Sequence, residues 1–447
     1  MKRLSLFFSL AFLLLCAAPL IALAVLGPAE PAANQTLAAA PRLTEADGGF
    51  NGDFLTELAA YVEERFGFRQ ELITLDARLT AAVFRESATD SVVLGREGWL
   101  FYGETLADYQ GTAPLSDREL WAAARTLALV QEQAAEAGAD FRFVLAPNKN
   151  TLYPQYMPAR YRASEAPSNW ERLREELDRQ GVAYVDLIPV LAAEPEPVYY
   201  RTDSHWTPYG SALAHDAILA SLGVPAGLAE EPFAMGEHLG DLQEMLYPAD
   251  TTPEASPTLA RARAFTHLGA FRSPEDLTIR TESEGPLGSL LMFRDSFGNT
   301  LYADLAESFS RACFSRAMPI RLDMLAEEGA DTLVLELVER NLARLATEAP
   351  VMEAPRRELP ADAAQAPEAV ALACREASPL EGLACYTGTV ERLDTDSPVY
   401  VALDGVCYEA SPAGDGAGAF TLYGPAAQSA AVYYRLDGRW LRADAAL

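Results

Sequence analysis

Two short segments carry residue types suited to nucleophilic chemistry. Tyr200-Arg-Thr-Asp-Ser-His-Trp-Thr-Pro-Tyr-Gly210 holds an Asp and a His two positions apart, just before a helix signal. Leu290-Leu-Met-Phe-Arg-Asp-Ser-Phe-Gly298 holds a Ser at a strand-to-helix turn. Together they offer the three roles of acyl transfer: Ser296 to attack, His205 to take its proton, and Asp203 to orient the imidazole. The chain has four histidines, His205, His215, His238 and His267, so few other bases of this kind exist. Residues two apart in extended backbone point the same way, which lets Asp203 hold one ring nitrogen while the other faces a serine. A helix starting after Ser296 supplies free N–H groups and a positive dipole end, both favourable to an alkoxide and to the oxyanion formed by its attack. Gly298 allows close backbone approach. Each half also has a plainer reading. Asp295 or Ser296 can simply cap the helix. Asp203 can cap a helix beside a surface histidine, or be half of a metal site, although Asp-x-His lacks the third ligand a metal needs.

The elements that must position these residues alternate. A helical pattern runs from Asp53 to Phe84, with Phe54, Leu58, Tyr61, Val62 and Phe66 at helical spacing. Ser91 to Tyr102 reads as two short strands around a turn at Gly95 to Gly98. Ser116 with Glu119, and Ser168 with Glu171, are capping boxes that open helices. Phe141–Ala146, Val182–Leu187, Leu290–Phe293 and Thr332–Leu337 read as strands. Thr207 and Pro208 open a helix to Leu222, another begins near Asn299, and a last one runs through Leu345. This alternation predicts an α/β domain, a parallel sheet flanked by helices. Ligands of such sheets sit beyond the carboxyl ends of the strands. Lys149, the Asp203/His205 loop and Ser296 all fall at such ends.

Five segments are expected: 1–27 as a signal peptide or N-terminal membrane anchor, 28–52 as a linker, 53–345 as the catalytic domain, 346–367 as a second linker, and 368–447 as a small antiparallel β module. Lys2 and Arg3 precede an apolar run from Leu4 to Leu26, and Ala22-Leu-Ala24 offers a small-residue cleavage site. Either reading puts the remainder outside the cytoplasm. Cys16 is a poor lipid-attachment site, because Leu15 stands where a small residue is expected. Asp404-Gly405 and Asp437-Gly438, each between apolar runs, signal two hairpins. Cys374, Cys385 and Cys407 allow either one late disulfide or buried free thiols. The net charge of −29 repels nucleic acid and disfavours a polyanionic glycan unless a local basic patch intervenes. No Cys/His metal spacing occurs, and no cofactor is implied.

Four stretches resemble the DHHW family and the related SGNH-hydrolase-like acetyltransferases of alginate assembly, the AlgX/AlgJ type. They are Tyr61-Val-Glu-Glu-Arg-Phe-Gly-Phe-Arg69, Val92-Val-Leu-Gly-Arg-Glu-Gly-Trp-Leu-Phe-Tyr102, Asp203-Ser-His-Trp-Thr207 and Phe293-Arg-Asp-Ser-Phe-Gly298. Val144–Pro154 and Asp331–Leu342 add to the likeness, which covers residues 53 to 345 in family order. In such proteins the Asp-x-His pair precedes the serine, as it does here. Ser204 departs from the family name, which would place a second His there. The resemblance implies an SGNH-hydrolase-like fold. It also implies that Ser296, with His205 and Asp203, accepts an acetyl group and passes it to a hydroxyl of a cell-surface or exported polysaccharide. A membrane-bound O-acyltransferase would be the donor. Asn148, Lys149, Arg294, Gly298 and Asn299 are candidates for oxyanion or substrate contacts, with ordinary ion pairs as the alternative for Lys149 and Arg294. Two other functions stay open: a carbohydrate esterase using the same triad with water, and a glycan-binding scaffold with a vestigial triad. Tyr386, Tyr400, Tyr408, Tyr423, Tyr433, Tyr434 and Trp440 are either a sugar-stacking face or the core of the β module.

Overall fold

A computed structural model describes residues 2–27, 38–45, 48–375, 378–414, 416 and 418–446. The linker expected over 28–52 therefore lies partly outside the described residues. Lys2–Leu26 is one 25-residue helix. Among residues with described side chains no helix is long and apolar enough to cross a membrane, and many side chains of Lys2–Leu26 fall outside that set.

A seven-stranded sheet forms the centre of the first domain, in the order Tyr184–Asp186, Asp140–Ala146, Thr332–Val338, Leu287–Phe293, Phe309–Ser315, Thr278–Ser283, Phe265–His267. The first five strands are parallel and the last two antiparallel. Near-continuous apolar runs such as Thr332–Val338, buried at every position, are what a sheet covered on both faces requires. Alternate residues feed opposite faces. Phe143, Leu145, Leu291, Phe293 and Leu335 pack with the helices Asp117–Glu136 and Asn169–Gln180. Val144, Ala146, Leu290, Met292 and Val334 pack with Pro208–Ser221 and Gly298–Ser308. Both expected capping boxes form, and Thr207 caps the helix whose first residue is Pro208.

Several elements differ from the sequence expectation. The pattern from Asp53 to Phe84 is two helices, Phe54–Arg65 and Arg69–Phe84. Phe66 is extended and Phe68 adopts a left-handed φ of 62°, so the chain turns at Phe66–Phe68. The strand expected over Val182–Leu187 is Tyr184–Asp186 alone. The hairpin Phe233–His238 with Glu254–Leu259, and the antiparallel strands Phe265–His267 and Thr278–Ser283, were not expected. Their mixed polar and apolar residues give no clean period.

The C-terminal module is a closed barrel. Around it run Val406–Pro412, Val399–Leu403, Ala430–Leu436, Arg439–Ala446, Val370–Arg375, Ala384–Thr389 and Ala419–Gly424, which pairs back to Val406–Pro412. It is not wholly antiparallel, because Val370–Arg375 runs parallel to Arg439–Ala446. Both Asp-Gly turns have positive φ at both residues, as a two-residue hairpin loop demands. Within the stretch read as the second linker, Arg356–Arg357 and Ala364–Gln365 pair with barrel strands. The barrel docks on the helix Asp117–Glu136 through buried Glu409. Its carboxylate takes both Arg125 (2.6 and 2.7 Å) and Arg357 (2.7 Å), and Arg357 also reaches Glu132. Cys313, Cys374, Cys385 and Cys407 are free thiols. Tyr386, Tyr408 and Tyr434 lie in the barrel core, whereas Tyr400 stacks on Trp440 outside it at 5.1 Å.

Candidate active site

The parallel strands end along one edge, and the loops leaving that edge carry the polar residues. The strand Leu287–Phe293 is buried along Leu290–Phe293 and gives way to Arg294–Phe297 before the helix Gly298–Ser308. Asp295 pins this elbow. Its Oδ1 accepts from Phe297 N at 2.9 Å and its Oδ2 from Val338 N at 2.8 Å, on the neighbouring strand. Asp295 N donates to Glu336, a fully buried carboxyl whose pKa is raised well above the usual range by burial. A Cβ on Gly298 would sit 2.5 Å from Arg294 Cδ, so the helix can begin there only without a side chain. Ser296 is thus held by its neighbours, and its hydroxyl is free of any capping bond to the helix.

The segment before the helix Pro208–Ser221 forms a tight loop closed by a bridge between Tyr199 and Trp206. Buried Trp206 meets Phe297 edge-on at 5.0 Å, and the His205 ring lies 4.8 Å from Phe297. Aromatic packing thereby locks the two loops together. Across that contact His205 Nε2 stands 2.8 Å from Ser296 Oγ, and His205 Nδ1 stands 2.8 Å from Asp203 Oδ1. Asp203 accepts four N–H donors: His205 Nδ1 and His205 N on Oδ1, His238 Nε2 and Asp241 N on Oδ2. Burial alone would raise the Asp203 pKa, but the bonds from both histidines hold it well below the ordinary value. Burial also works against charge on His205, yet the Asp203 bond and the charges of Asp203 and Asp241 raise its pKa above the ordinary value. The His205 side chain keeps 23% exposure, so it is reachable. A hydroxyl bonded to an imidazole, itself bonded to a carboxylate, can deliver a nucleophilic oxygen.

A cavity of about 460 Å³ opens over this trio and is also lined by His238, Asn299, Arg316 and Arg340. Of the expected contacts, Asn299 lines it. Arg294 does not: buried beneath the elbow, it donates to Asn299 Oδ1 at 2.6 Å and to Pro274 O at 2.6 Å. With Oδ1 taken, Asn299 keeps its amide N–H groups for the cavity. Lys149 points away from the cavity too. It is buried and donates to the carbonyls of Leu100, Arg201 and Asp203 at 2.6–2.8 Å. Burial pushes its ammonium down to about 7, while three carbonyl acceptors call for three N–H donors and so favour the protonated form. Lys149 braces the Asp203 loop from behind. Asn148 turns to Asp108 (3.4 Å), and its backbone N–H donates to Glu339 (2.8 Å). Gly298 acts through space it leaves empty. Ser204 donates to Asp241 Oδ2 at 2.6 Å.

His238, Asp241, Arg316 and Arg340 were missed from the sequence. The one available signal was that His238 is one of only four histidines. Asp203, His205 and Asp241 present donor atoms within 4.8 Å of one another. Those atoms are engaged by hydrogen bonds within the cluster, so the group reads as a proton-handling network. A second serine, histidine and carboxylate also meet: His215 Nε2 is 2.7 Å from Ser308 Oγ and its Nδ1 2.8 Å from Asp216. His215 is buried between two helices, and Ser308 ends its helix, where the dipole opposes an alkoxide. Ser296 stands at the opposite, favourable end of the same helix.

The family model described as "SGNH hydrolase-like domain, acetyltransferase AlgX" matches residues 92–270, which include Asp203, His205 and His238 and stop short of Ser296. The "Probable alginate O-acetylase AlgJ" of Pseudomonas syringae pv. tomato is 27% identical over 187 residues, 41% of this chain and 46% of that protein. The protein of the same name from Pseudomonas aeruginosa is 28% identical over 163 residues, 36% of this chain and 40% of that protein. The chain thus spans less than half the length of these two curated relatives. A solved DHHW family protein from Eubacterium siraeum overlaps 57% of this chain and 93% of its own, with a TM-score of 0.43 and 17% identity. The family model and the relatives bear out the resemblance to the AlgX/AlgJ-like acetyltransferases.

Proposed function

We propose that this AlgX/AlgJ-like chain is an extracytoplasmic O-acetyltransferase that moves an acetyl group through Ser296 to a hydroxyl of a cell-surface or exported polysaccharide. The observation that carries the reading is the 2.8 Å contact of Ser296 Oγ with His205 Nε2, with Asp203 2.8 Å behind the other ring nitrogen. In the first half-reaction His205 Nε2 takes the Ser296 proton as Oγ attacks the acyl carbonyl. The tetrahedral intermediate collapses, the donor's leaving group departs with the proton from His205, and acetyl-Ser296 remains. In the second, a sugar hydroxyl gives its proton to His205 and attacks the ester. Ser296 leaves and recovers the proton. Asn299 supplies N–H groups on the cavity side where the oxyanion forms. The relatives' names, with alginate as their acceptor, favour a glycan acceptor over water.

The extracytoplasmic site rests on the basic pair and apolar run of Lys2–Leu26, a leader or membrane anchor. Free acetyl-CoA does not suit that location, so a membrane-bound O-acyltransferase is the proposed donor. The experiment is incubation of the protein with p-nitrophenyl acetate, with and without oligosaccharides, and then peptide and glycan mass spectrometry. Acetyl on the Ser296 peptide, absent from Ser296→Ala, and acetylated sugar are expected. Unlabelled Ser296 would end the reading, and labelling with water as the sole acceptor would turn it into an esterase.

A further inference from the structure

Asp203 has two carboxylate oxygens, and the triad uses one. The other is held by a part of the molecule outside the central sheet. His238 ends the strand Phe233–His238 of the separate hairpin, and its Nε2 lies 2.8 Å from Asp203 Oδ2. Its ring stacks flat on Tyr200, with centroids 4.0 Å apart and 17° between planes. The next turn presses against the same loop: a Cβ on Gly240 would lie 2.3 Å from Thr202 O, and Asp241 N donates to Asp203 Oδ2 at 3.0 Å. The partner strand of the hairpin contributes Glu254, whose carboxylate accepts from Arg201 N at 2.7 Å and Thr202 N at 2.8 Å. Arg201 N and Thr202 N are thus answered by Glu254 and Ser204 N by Asp241, and the His238 imidazole of the same unit lands on the Asp203 carboxylate.

We propose that His238 is a positioning residue for acyl transfer, acting through Asp203 to hold the carboxylate in register with His205 and to tune how readily His205 binds a proton. The inference rests on the Ser296 chemistry above. Two imidazoles flank one carboxylate, so their charged forms repel through it. The charged and titratable groups facing His238 are Asp203 on the loop, Glu254 on the paired strand, Asp241 and Glu244 on the short helix that joins the two hairpin strands, and the Tyr200 phenol. Burial lowers the His238 pKa, and the bond and charge of Asp203, with Glu254 and Asp241, more than offset this, so His238 charges more readily than a free histidine. As the pH falls, positive charge on His238 makes a second charge on His205 harder to add, and the base stays available to lower pH.

The test measures acetylation of Ser296 in the full chain with p-nitrophenyl acetate, from about pH 5 to about pH 9. His238→Phe keeps the ring stacked on Tyr200 and removes the donor. His238→Gln keeps a donor and removes the charge. The expected result for His238→Phe is a kcat lowered about tenfold, a fraction of the 10²–10⁴ a positioned base supplies, with KM within about twofold. His238→Gln should recover kcat to within about threefold, with the acid limb moved to higher pH. A parent-like His238→Phe, a loss carried by KM, or a His238→Gln profile with an unmoved acid limb overturns the inference. If His238→Phe does not fold, the acid limb of His238→Gln decides alone. Failure of the parent to label at Ser296 refutes the proposed function instead, so the two failures are distinct.

Discussion

Asp203→Asn changes one atom of the side chain and removes its charge, and the four donors around that side chain set the size of the effect. The carboxylate accepts two N–H groups on each oxygen. An amide has one acceptor oxygen, so its NH₂ must confront one of the two pairs. If it faces His205, the ring must adopt the tautomer protonated at Nε2, which cannot accept the Ser296 proton, and the His205 backbone N–H is stranded. If it faces His238, the stranded group is the backbone N–H of Asp241. Either way one largely buried donor is lost, at about 1–3 kcal/mol of stability. The kinetic effect is larger, because His205 becomes an imidazolium in the transition state without the carboxylate bonded to it, leaving only Asp241 at 3.5 Å as an opposing charge. A loss of about 10²–10⁴ in the acylation rate, roughly 3–5.5 kcal/mol, is expected, with the acid limb shifted to lower pH. Acetyl-Ser296 formation tracked by stopped flow and intact mass, beside urea unfolding, measures both. Acylation within threefold of the parent would show that Asp203 serves the loop and not the base.

Asn299→Ala should lower kcat about 10²-fold with little change in KM, as loss of one oxyanion donor does; unchanged kinetics would move the oxyanion site elsewhere. The buried Glu339 carboxyl accepts from Asn148 N and Thr151 Oγ, and burial pushes its pKa up to about 7. Its unfolded value is about 4.3. Between the two the native state keeps a proton that the unfolded chain has lost, so stability is full below about 4.3, falls as pH rises, and levels off above about 7. Glu339→Gln removes that slope, and melting curves at pH 5 and pH 8 should then differ by on the order of 3 kcal/mol less than in the parent. An unaltered slope would mean that Glu339 ionises normally in the fold.

The reach of the sequence can be judged residue by residue. Asp203, His205 and Ser296 were legible because each sits in a local signature, an extended Asp-x-His before a cap and a serine between strand and helix. Lys149 was legible as a residue at a strand's carboxyl end, but a long flexible side chain can turn either way, and three carbonyls capture it beneath the loop. Arg294, open between a site contact and an ion pair, is captured in the same way by Asn299 Oδ1 and Pro274 O. His238 lies on a strand of mixed exposure with no two-residue alternation, so neither its strand nor its aim at a carboxylate 35 positions earlier is encoded locally. In the barrel the Asp-Gly turns were legible from backbone preference alone. The parallel pairing of Val370–Arg375 with Arg439–Ala446 sets Val370 opposite Ala445, far apart along the chain, which turn chemistry does not specify.

The charge argument separates in the same way. A net charge of −29 is a statement about long range, where it repels a polyelectrolyte whose binding depends on many cationic contacts. Salt at physiological strength screens such fields beyond about 8 Å. Inside the cavity the relevant charges are few: Asp203, Asp241 and Glu275 on one side of the balance, Arg316 and Arg340 on the other. Arg340 also stacks its guanidinium 5.2 Å from the Tyr102 ring and 5.8 Å from Phe297, which fixes a positive charge beside the elbow. Under the proposed chemistry an oxyanion at Ser296 would form in a cavity lined by Arg316, Arg340 and Asn299, whatever the sign of the whole surface. A nucleic-acid partner would require the long-range field to reverse. The chemistry at Ser296 requires only the field within a few ångströms, and there the net charge of the chain has no vote.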